Sequence, residues 1–160
     1  MLLETAWRAA RKSARGGVSN LLFIAEPLDM LAPALEAIAD RLTVILPWGI
    51  LLEAVAAPRR EALRQLASLC LPDAAIEIVL SYDERNNARL DGQHVRHSLP
   101  RLYEESGLRV TQVGKIDHRK LEQYETTWAR RLAFGRSRDV WRILAEPAQS
   151  VPNANVFPSL

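Results

Sequence analysis

Two short apolar runs constrain the fold of this chain more than any other feature. Residues 42–46 read LTVIL and stop at Pro47-Trp48-Gly49, and residues 74–82 read AAIEIVLSY. Continuous apolar runs of this length, rich in β-branched residues, are typical of buried strands. Because buried strands need helices to cover them, the two runs predict an α/β fold.

Helical patterns flank both runs. The sequence predicts strands over 21–26, 42–46, 74–82, 108–116 and 139–145, of which the first is buried. It predicts helices over 2–14, ended by Gly16, within 27–40 after a loop, and over 50–55, 58–69 and 99–106, and a last helix from the capping residue Asp117 to Phe134. Residues 83–98 are predicted to form a polar loop. This alternation indicates an open, mostly parallel sheet with helices on both faces. Ligands of such sheets bind at the carboxyl ends of the strands, here 26–29, 46–49 and 81–83.

The composition indicates an ordinary globular protein. A length of 160 residues suits one domain over 1–160, and 48% apolar with 25% charged residues argues against disorder. Cys70 is the only cysteine, which excludes an internal disulfide and fits a reducing cytoplasm. No apolar run reaches the length of a membrane span. The net charge is only +2, but 21 Lys and Arg residues allow local basic patches.

Two tryptophans stand in unusual surroundings. Trp48 lies between a proline and a glycine directly after a strand, which predicts an exposed ring suited to stacking on a nucleobase. A ring tucked under a neighbouring helix is the alternative. Trp128 shares helical spacing with Leu121, Tyr124 and Leu132, so the residues alone favour a core position for it.

Two groups of basic residues could form an RNA footprint. One group surrounds the predicted end of the late helix, where cations are favourable in any case: Arg130, Arg131, Arg136 and Arg138. The other shares one face of the first predicted helix, a pattern that often means only solvent exposure: Arg8, Arg11, Lys12 and Arg15.

The strand end around Trp48, together with the run TTWARRLAFGRSR over 126–138, resembles the aminoglycoside-resistance methyltransferases that modify N1 of adenine 1408 in 16S ribosomal RNA. The resemblance covers about residues 11–146. It departs where Leu46 replaces a phenylalanine and Ile50 replaces a serine or threonine. The family's Gly-rich cofactor turn has no counterpart, because Gly16-Gly17 follow a predicted helix rather than a strand.

The resemblance implies a Rossmann-like class I methyltransferase sheet that lacks its first two strands, with an antiparallel last strand beside 74–82. It implies one incomplete, N-terminally truncated methyltransferase domain over 1–160. Its implied cofactor is S-adenosylmethionine and its implied partner is 16S rRNA in the 30S subunit, bound by a cytoplasmic monomer. No metal is implied.

The resemblance also assigns roles to individual residues. Trp48 and Trp128 would stack on both faces of a flipped adenine, with Thr126 facing the cofactor and the target nitrogen. The cofactor would be lined by Pro27, Leu28, Asp29, Ile45, Ile50, Leu51 and Thr126. RNA phosphates would be bound by Arg8, Arg11, Lys12, Arg15, Arg136 and Arg138. Because N1 of adenine carries a lone pair at neutral pH, the reaction needs no general base.

Other interpretations remain open at this point. The chain could be a non-catalytic RNA-binding remnant, a small-molecule methyltransferase of the same fold, or a plain structural domain. His94 and His97 have helical spacing, but Gly92 and Pro100 predict a loop there, and no acid or cysteine completes a metal site. Cys70, next to Leu69 and Leu71, is interpreted as a buried packing residue on a helix.

Overall fold

A computed structural model describes residues 4, 7, 9, 11, 13–15, 17–18, 20–22, 24, 26–30, 35–81, 92–124, 126, 129 and 139–148 of the chain. The chain divides into two compact units, Met1–Leu31 and Ala32–Leu160. The second unit contains β1 (Ala39–Ile45), α1 (Ile50–Ala56), α2 (Arg60–Ser68), β2 (Cys70–Ser81), a π-helical turn (His94–Ser98), α3 (Leu99–Glu104), β3 (Leu108–Lys115), a 3-10 helix (His118–Tyr124) and β4 (Val140–Pro147). In the described part of the chain, no helix is both long and apolar enough to cross a membrane.

The four strands form one sheet in the order β1-β2-β4-β3. β1 and β2 are parallel, and β4 pairs antiparallel with both β2 and β3. The predicted position of the last strand beside 74–82 is therefore confirmed. Parallel pairing is confined to β1 and β2, so the described sheet is less parallel than the sequence predicts. The described residues of the segment 21–26, which would have extended the parallel part, are not in a strand.

Both faces of β2 are buried, as its apolar run predicts. Alternate residues of a strand point to opposite faces, and β2 is buried continuously from Ile76 to Leu80. On one face Val79 packs in a core cluster with Leu121 and Ala129. The other face is covered by helices, and there the hydroxyl of Tyr103 donates a hydrogen bond of 2.8 Å to the carbonyl of Val55.

The segment 21–26 contains no strand among its described residues. Leu21, Leu22, Ile24 and Glu26 are irregular and exposed, and Leu22 is 75% exposed. The prediction of a buried strand there was wrong because apolar, β-branched content favours a strand only when a neighbour pairs with it. None of these described residues has a partner in the sheet ladder.

The first helix ends earlier than its sequence pattern predicts. Glu4, Trp7 and Ala9 are helical, but Arg11 lies at a bend and Ser13–Arg15 form a 3-10 turn. At Gly17 the backbone passes close to that of Arg11, and an added Cβ would lie 1.6 Å from the carbonyl oxygen of Arg11. Only glycine fits such a close backbone approach.

The predicted polar loop over 83–98 was wrong for its second half. Gly92 and Gln93 are helical, and the π-helical turn His94–Ser98 continues directly into α3. Pro100 lies in the first turn of α3, so a proline is accommodated within this helical run. Val95 is fully buried and anchors the turn. Among the described residues, no group of three His, Cys, Asp or Glu side chains could hold a metal ion.

Cys70 is buried as predicted, but it lies at the start of β2 rather than on a helix. Its thiol donates a hydrogen bond of 3.4 Å to the carbonyl of Leu66. Burial raises the pKa of this thiol, so Cys70 stays protonated and packs as a small apolar side chain.

Candidate active site at the carboxyl end of the parallel strands

The loop after β1 places Trp48 in solvent. The backbone of Leu46 turns with a positive φ of 49°, while its side chain is buried and its N–H donates a hydrogen bond of 2.9 Å to the carbonyl of Val79. Gly49 also has a positive φ, 61°, which glycine adopts without strain. Between these two turns Trp48 is 79% exposed. The predicted exposure is confirmed, and a ring packed under a helix is ruled out.

An apolar surface surrounds Trp48. Ile50 and Leu51, the first residues of α1, are 77% and 37% exposed, and Ile45 at the end of β1 is half-buried. These three residues, predicted to line a cofactor, therefore lie together at the carboxyl end of β1. The other predicted cofactor residues, Pro27, Leu28 and Asp29, belong to the first unit, at a 3-10 turn (Leu28–Met30).

The segment after β3 forms a second loop at the site. Asp117 accepts a hydrogen bond of 2.9 Å from the N–H of Arg119 and so caps the 3-10 helix His118–Tyr124. Thr126 is not helical, and its hydroxyl oxygen accepts a hydrogen bond of 3.0 Å from the N–H of Ala129. This is the geometry of an N-cap. The single helix predicted from Asp117 to Phe134 was wrong, because Thr126 interrupts it and begins a new helical turn.

A shared core cluster brings the two loops to the same end of the sheet. It consists of Leu46, Val79, Ile116, Leu121, Ala129 and Val140. Leu46 lies two residues before Trp48, and Ala129 lies three residues after Thr126. Leu46 and Ala129 therefore belong to one core cluster, which lies next in sequence to Trp48 on one side and to Thr126 on the other. Trp128 is next to Ala129 in sequence but lies outside the described residues, so its role as a second stacking ring stays a prediction.

A buried carboxylate under this site was missed by the sequence analysis. Glu77 in the middle of β2 is only 6% exposed. Its Oε1 accepts hydrogen bonds from the hydroxyl of Tyr124 at 2.8 Å and from Nε of Arg142 at 2.7 Å, and its Oε2 accepts one from Arg41 at 3.2 Å. The signal was present in the sequence, since a lone Glu interrupts the run AAIEIVLSY and a buried charge requires partners.

The electrostatics of Glu77 follow from these contacts. Burial alone would raise the pKa of the carboxyl group, but the hydrogen bonds from Tyr124, Arg142 and Arg41 and the charge of Arg142 outweigh it and lower the pKa. Burial and the bond to the Glu77 carboxylate raise the pKa of the Tyr124 phenol. At neutral pH Glu77 is therefore an anion and Tyr124 a neutral donor.

Two of the predicted RNA-binding residues are described, and both are exposed. The guanidinium carbon of Arg11 lies 4.8 Å from the ring centroid of Trp7, a cation–π contact. Arg15 lies in the 3-10 turn. Because Arg11 lies at a bend, the first basic group does not share the single helical face that the sequence predicts. The remaining members, Arg8, Lys12, Arg136 and Arg138, lie outside the described residues.

The arrangement defines a class of protein. Two parallel strands carry a loop site at their carboxyl ends, and an antiparallel pair of strands completes the sheet, as in class I S-adenosylmethionine-dependent methyltransferases. The family described as "NpmA: 16S rRNA (adenine(1408)-N(1))-methyltransferase" matches residues 1–147. The chain therefore belongs to the family of 16S rRNA (adenine(1408)-N(1))-methyltransferases.

Individual relatives agree with this assignment. A 16S rRNA (adenine(1408)-N(1))-methyltransferase of Escherichia coli is 30% identical over 155 residues, which cover 89% of this chain and 69% of that protein. A solved antibiotic-related methyltransferase is 30% identical, with a TM-score of 0.80 over 91% of this chain and 70% of its own. A tryptophan-to-alanine variant of the enzyme from Catenulisporales acidiphilia, solved with the cosubstrate SAM, is 29% identical, with a TM-score of 0.77 over 96% of this chain and 72% of its own.

Proposed function

We propose that this chain acts as an enzyme that transfers a methyl group from S-adenosylmethionine to N1 of adenine 1408 in 16S rRNA. The observation that supports this most directly is the exposed indole of Trp48 at the carboxyl end of β1. Because most of its surface is in water, the ring contributes little to the stability of the fold. It suits a base that has left its stack.

The residues around Trp48 fit the proposed cofactor. S-adenosylmethionine supplies an electrophilic methyl group on a sulfonium centre. Exposed Ile50 and Leu51 and half-buried Ile45 offer an apolar wall beside the Trp48 ring, which would exclude water from the transferred methyl group. Pro27 and Leu28 would contact the adenine part of the cofactor.

The main task of the side chains is to hold the adenine and to stabilise charge. The lone pair of N1 attacks without a base, and the ring becomes cationic as the methyl group arrives. Trp48 and Trp128, stacked on the two ring faces, would stabilise that cation by about 0.5–2 kcal/mol per contact. Because the substrate ring is neutral, this part of the stabilisation favours the transition state over the ground state.

Thr126 would orient the partners. Its hydroxyl oxygen accepts one hydrogen bond, from Ala129, and a hydroxyl group that accepts one bond still has a donor and a second lone pair. We propose that it faces the methyl donor and the target nitrogen. The basic residues Arg8, Arg11, Lys12, Arg15, Arg136 and Arg138 would hold phosphates around the flipped nucleotide, which makes binding steeply dependent on salt.

We further propose the intact 30S subunit as substrate and a cytoplasmic monomer as the working form. The decisive experiment incubates the chain with 30S subunits and S-adenosylmethionine labelled in its methyl group. Label found at N1 of adenine 1408, blocking reverse transcription there, supports the proposal.

Exposed Arg11 and Arg15 would also suit a second function, RNA binding without methyl transfer. Calorimetric titration with S-adenosylmethionine separates the two functions. RNA binding without cofactor binding or methylation would refute the enzymatic proposal. Methylation of small metabolites but not of 30S subunits would instead indicate a small-molecule methyltransferase.

A further inference from the structure

The carboxylate of Glu77 is hydrogen-bonded to the segment that leads into Thr126. It accepts the hydroxyl proton of Tyr124 at 2.8 Å, and Tyr124 precedes Thr126 by two residues. We infer that the Tyr124–Glu77 hydrogen bond is a positioning device, which sets the place of the Thr126 turn for methyl transfer. The expected effect on catalysis rests on the proposed function of Thr126. The expected effect on the position of the turn does not.

The turn is held on both sides. On the amino-terminal side the Tyr124 hydroxyl is tied to β2 through Glu77. On the carboxyl-terminal side Ala129 is fully buried in the cluster with Leu46 and Val79. Only a few residues separate these two anchors, and the Thr126 hydroxyl adds a local bond to the N–H of Ala129. Without this hydrogen bond, the amino-terminal side of the turn would be held only by packing of the Tyr124 ring against the core cluster.

Glu77 is well suited to serve as a fixed point. β2 is an interior strand, and Glu77 is paired in register with Thr43 of β1 and with Leu144 of β4. Arg142 of β4 occupies the same carboxylate oxygen as Tyr124, and Arg41 of β1 occupies the other. The carboxylate is thus oriented from both neighbouring strands, and a hydrogen bond to an ionised acceptor is stronger than one between neutral groups.

The hydroxyl of Tyr124 adds a polar contact to packing that the ring makes without it. Tyr124 already packs its ring against the core cluster, and phenylalanine would keep that packing. The opposite face of the sheet offers a matched comparison, because the Tyr103 hydroxyl donates a bond of the same length, 2.8 Å, to the carbonyl of Val55. That bond is buried and stabilising, but its partners lie in α3 and α1 rather than in the Thr126 turn.

The test compares Tyr124→Phe with Tyr103→Phe in the full chain. We expect Tyr124→Phe to lower kcat about 10- to 160-fold, the range that corresponds to the loss of a hydrogen bond to a charged group. Its KM for 30S subunits should stay within about two-fold, because the contacts that bind RNA are untouched. Tyr103→Phe should leave kcat within about two-fold at a temperature at which both variants are folded.

Amide hydrogen exchange gives a second measurement that does not depend on activity. In Tyr124→Phe the peptide spanning 124–131 should exchange at least about five-fold faster, while a peptide within 76–80 of β2 is unchanged. Tyr103→Phe should show neither change. Equal behaviour of the two variants in exchange overturns the inference, as does a loss of kcat in Tyr124→Phe with unchanged exchange.

The two proposals fail in distinguishable ways. If the unsubstituted chain methylates nothing, the proposed function fails, and the exchange comparison alone decides the positioning role. Glu77→Gln provides an independent check, since it keeps an acceptor but removes the charge. It should raise exchange over 124–131 in the same direction as Tyr124→Phe. Unchanged exchange in Glu77→Gln would overturn the role assigned to the carboxylate.

Discussion

Replacing Trp48 by alanine should separate catalysis from stability. The indole is 79% exposed, so only about a fifth of its surface is covered by the fold. With a buried tryptophan covering up to about 250 Å², that fraction corresponds to about 50 Å². At about 25 cal/mol per Å² its loss costs at most about 1.3 kcal/mol of unfolding free energy. The thermal midpoint of Trp48→Ala should therefore stay close to that of the unsubstituted chain.

The effect on methylation should be much larger. Stacking on one base contributes about 1–3 kcal/mol to substrate binding, and the cation–π term adds about 0.5–2 kcal/mol that appears only as the ring becomes charged. At 1.36 kcal/mol per factor of ten, kcat/KM should fall about 10- to 5000-fold and kcat about 2- to 30-fold. The two ranges distinguish lost binding from lost stabilisation of the transition state.

The assay measures initial rates of methyl incorporation against 30S concentration, with thermal unfolding followed by circular dichroism. Trp48→Phe and Trp48→Leu are the matched controls, because both keep an apolar side chain and only phenylalanine keeps a π face. Phe should retain more of kcat than Leu. If the Leu variant turned over as fast as the Phe variant, the idea that an aromatic face stabilises the cation would be refuted.

Three further predictions follow from the site and its buried carboxylate. Trp128→Ala should lose methylation far more than RNA binding, as measured by rates and filter binding on the same subunits; equal losses would contradict differential stabilisation. Arg136→Ala should reduce activity in a way that depends on salt, with a shallower slope of log activity against log salt; the same slope as the unsubstituted chain would argue against a phosphate contact. Glu77→Gln should lower the unfolding free energy by about 1–3 kcal/mol at pH 7. Because the folded pKa of Glu77 lies below its unfolded value, its stabilisation is present above about pH 4.3 and is lost as the pH falls through the folded pKa. Urea unfolding at pH 7 and in acid checks this, and a difference between the two proteins that did not shrink in acid would contradict it.

Much of the sheet was predictable because its signals are local. The apolar runs around Val44 and Ile78 have too few polar residues to face water, so they form strands wherever they find neighbours. Pro47 and Gly49 interrupt the pattern after β1, and the exposure of Trp48 follows from that interruption. The cap at Asp117 was also readable, since an acidic side chain before a helical pattern accepts free N–H groups.

Errors arose where local patterns compete with distant partners. The run containing Leu22 has strand composition, yet it pairs with no described strand, and its side chains are exposed. The late segment has helical periodicity through Leu121 and Tyr124, but the Thr126 hydroxyl binds the N–H of Ala129 and starts a new turn. Periodicity does not report such a side-chain-to-backbone hydrogen bond.

The amino-acid pattern therefore determines which segments bury their side chains, where β1 must stop, and that an indole follows it. Those are properties of adjacent residues and of the water they avoid. Only the folded chain decides that Leu46 and Ala129 share one cluster and that Glu77 of β2 receives Tyr124. These contacts join residues distant in sequence, and their energy exists only after the strands have paired and the core has closed.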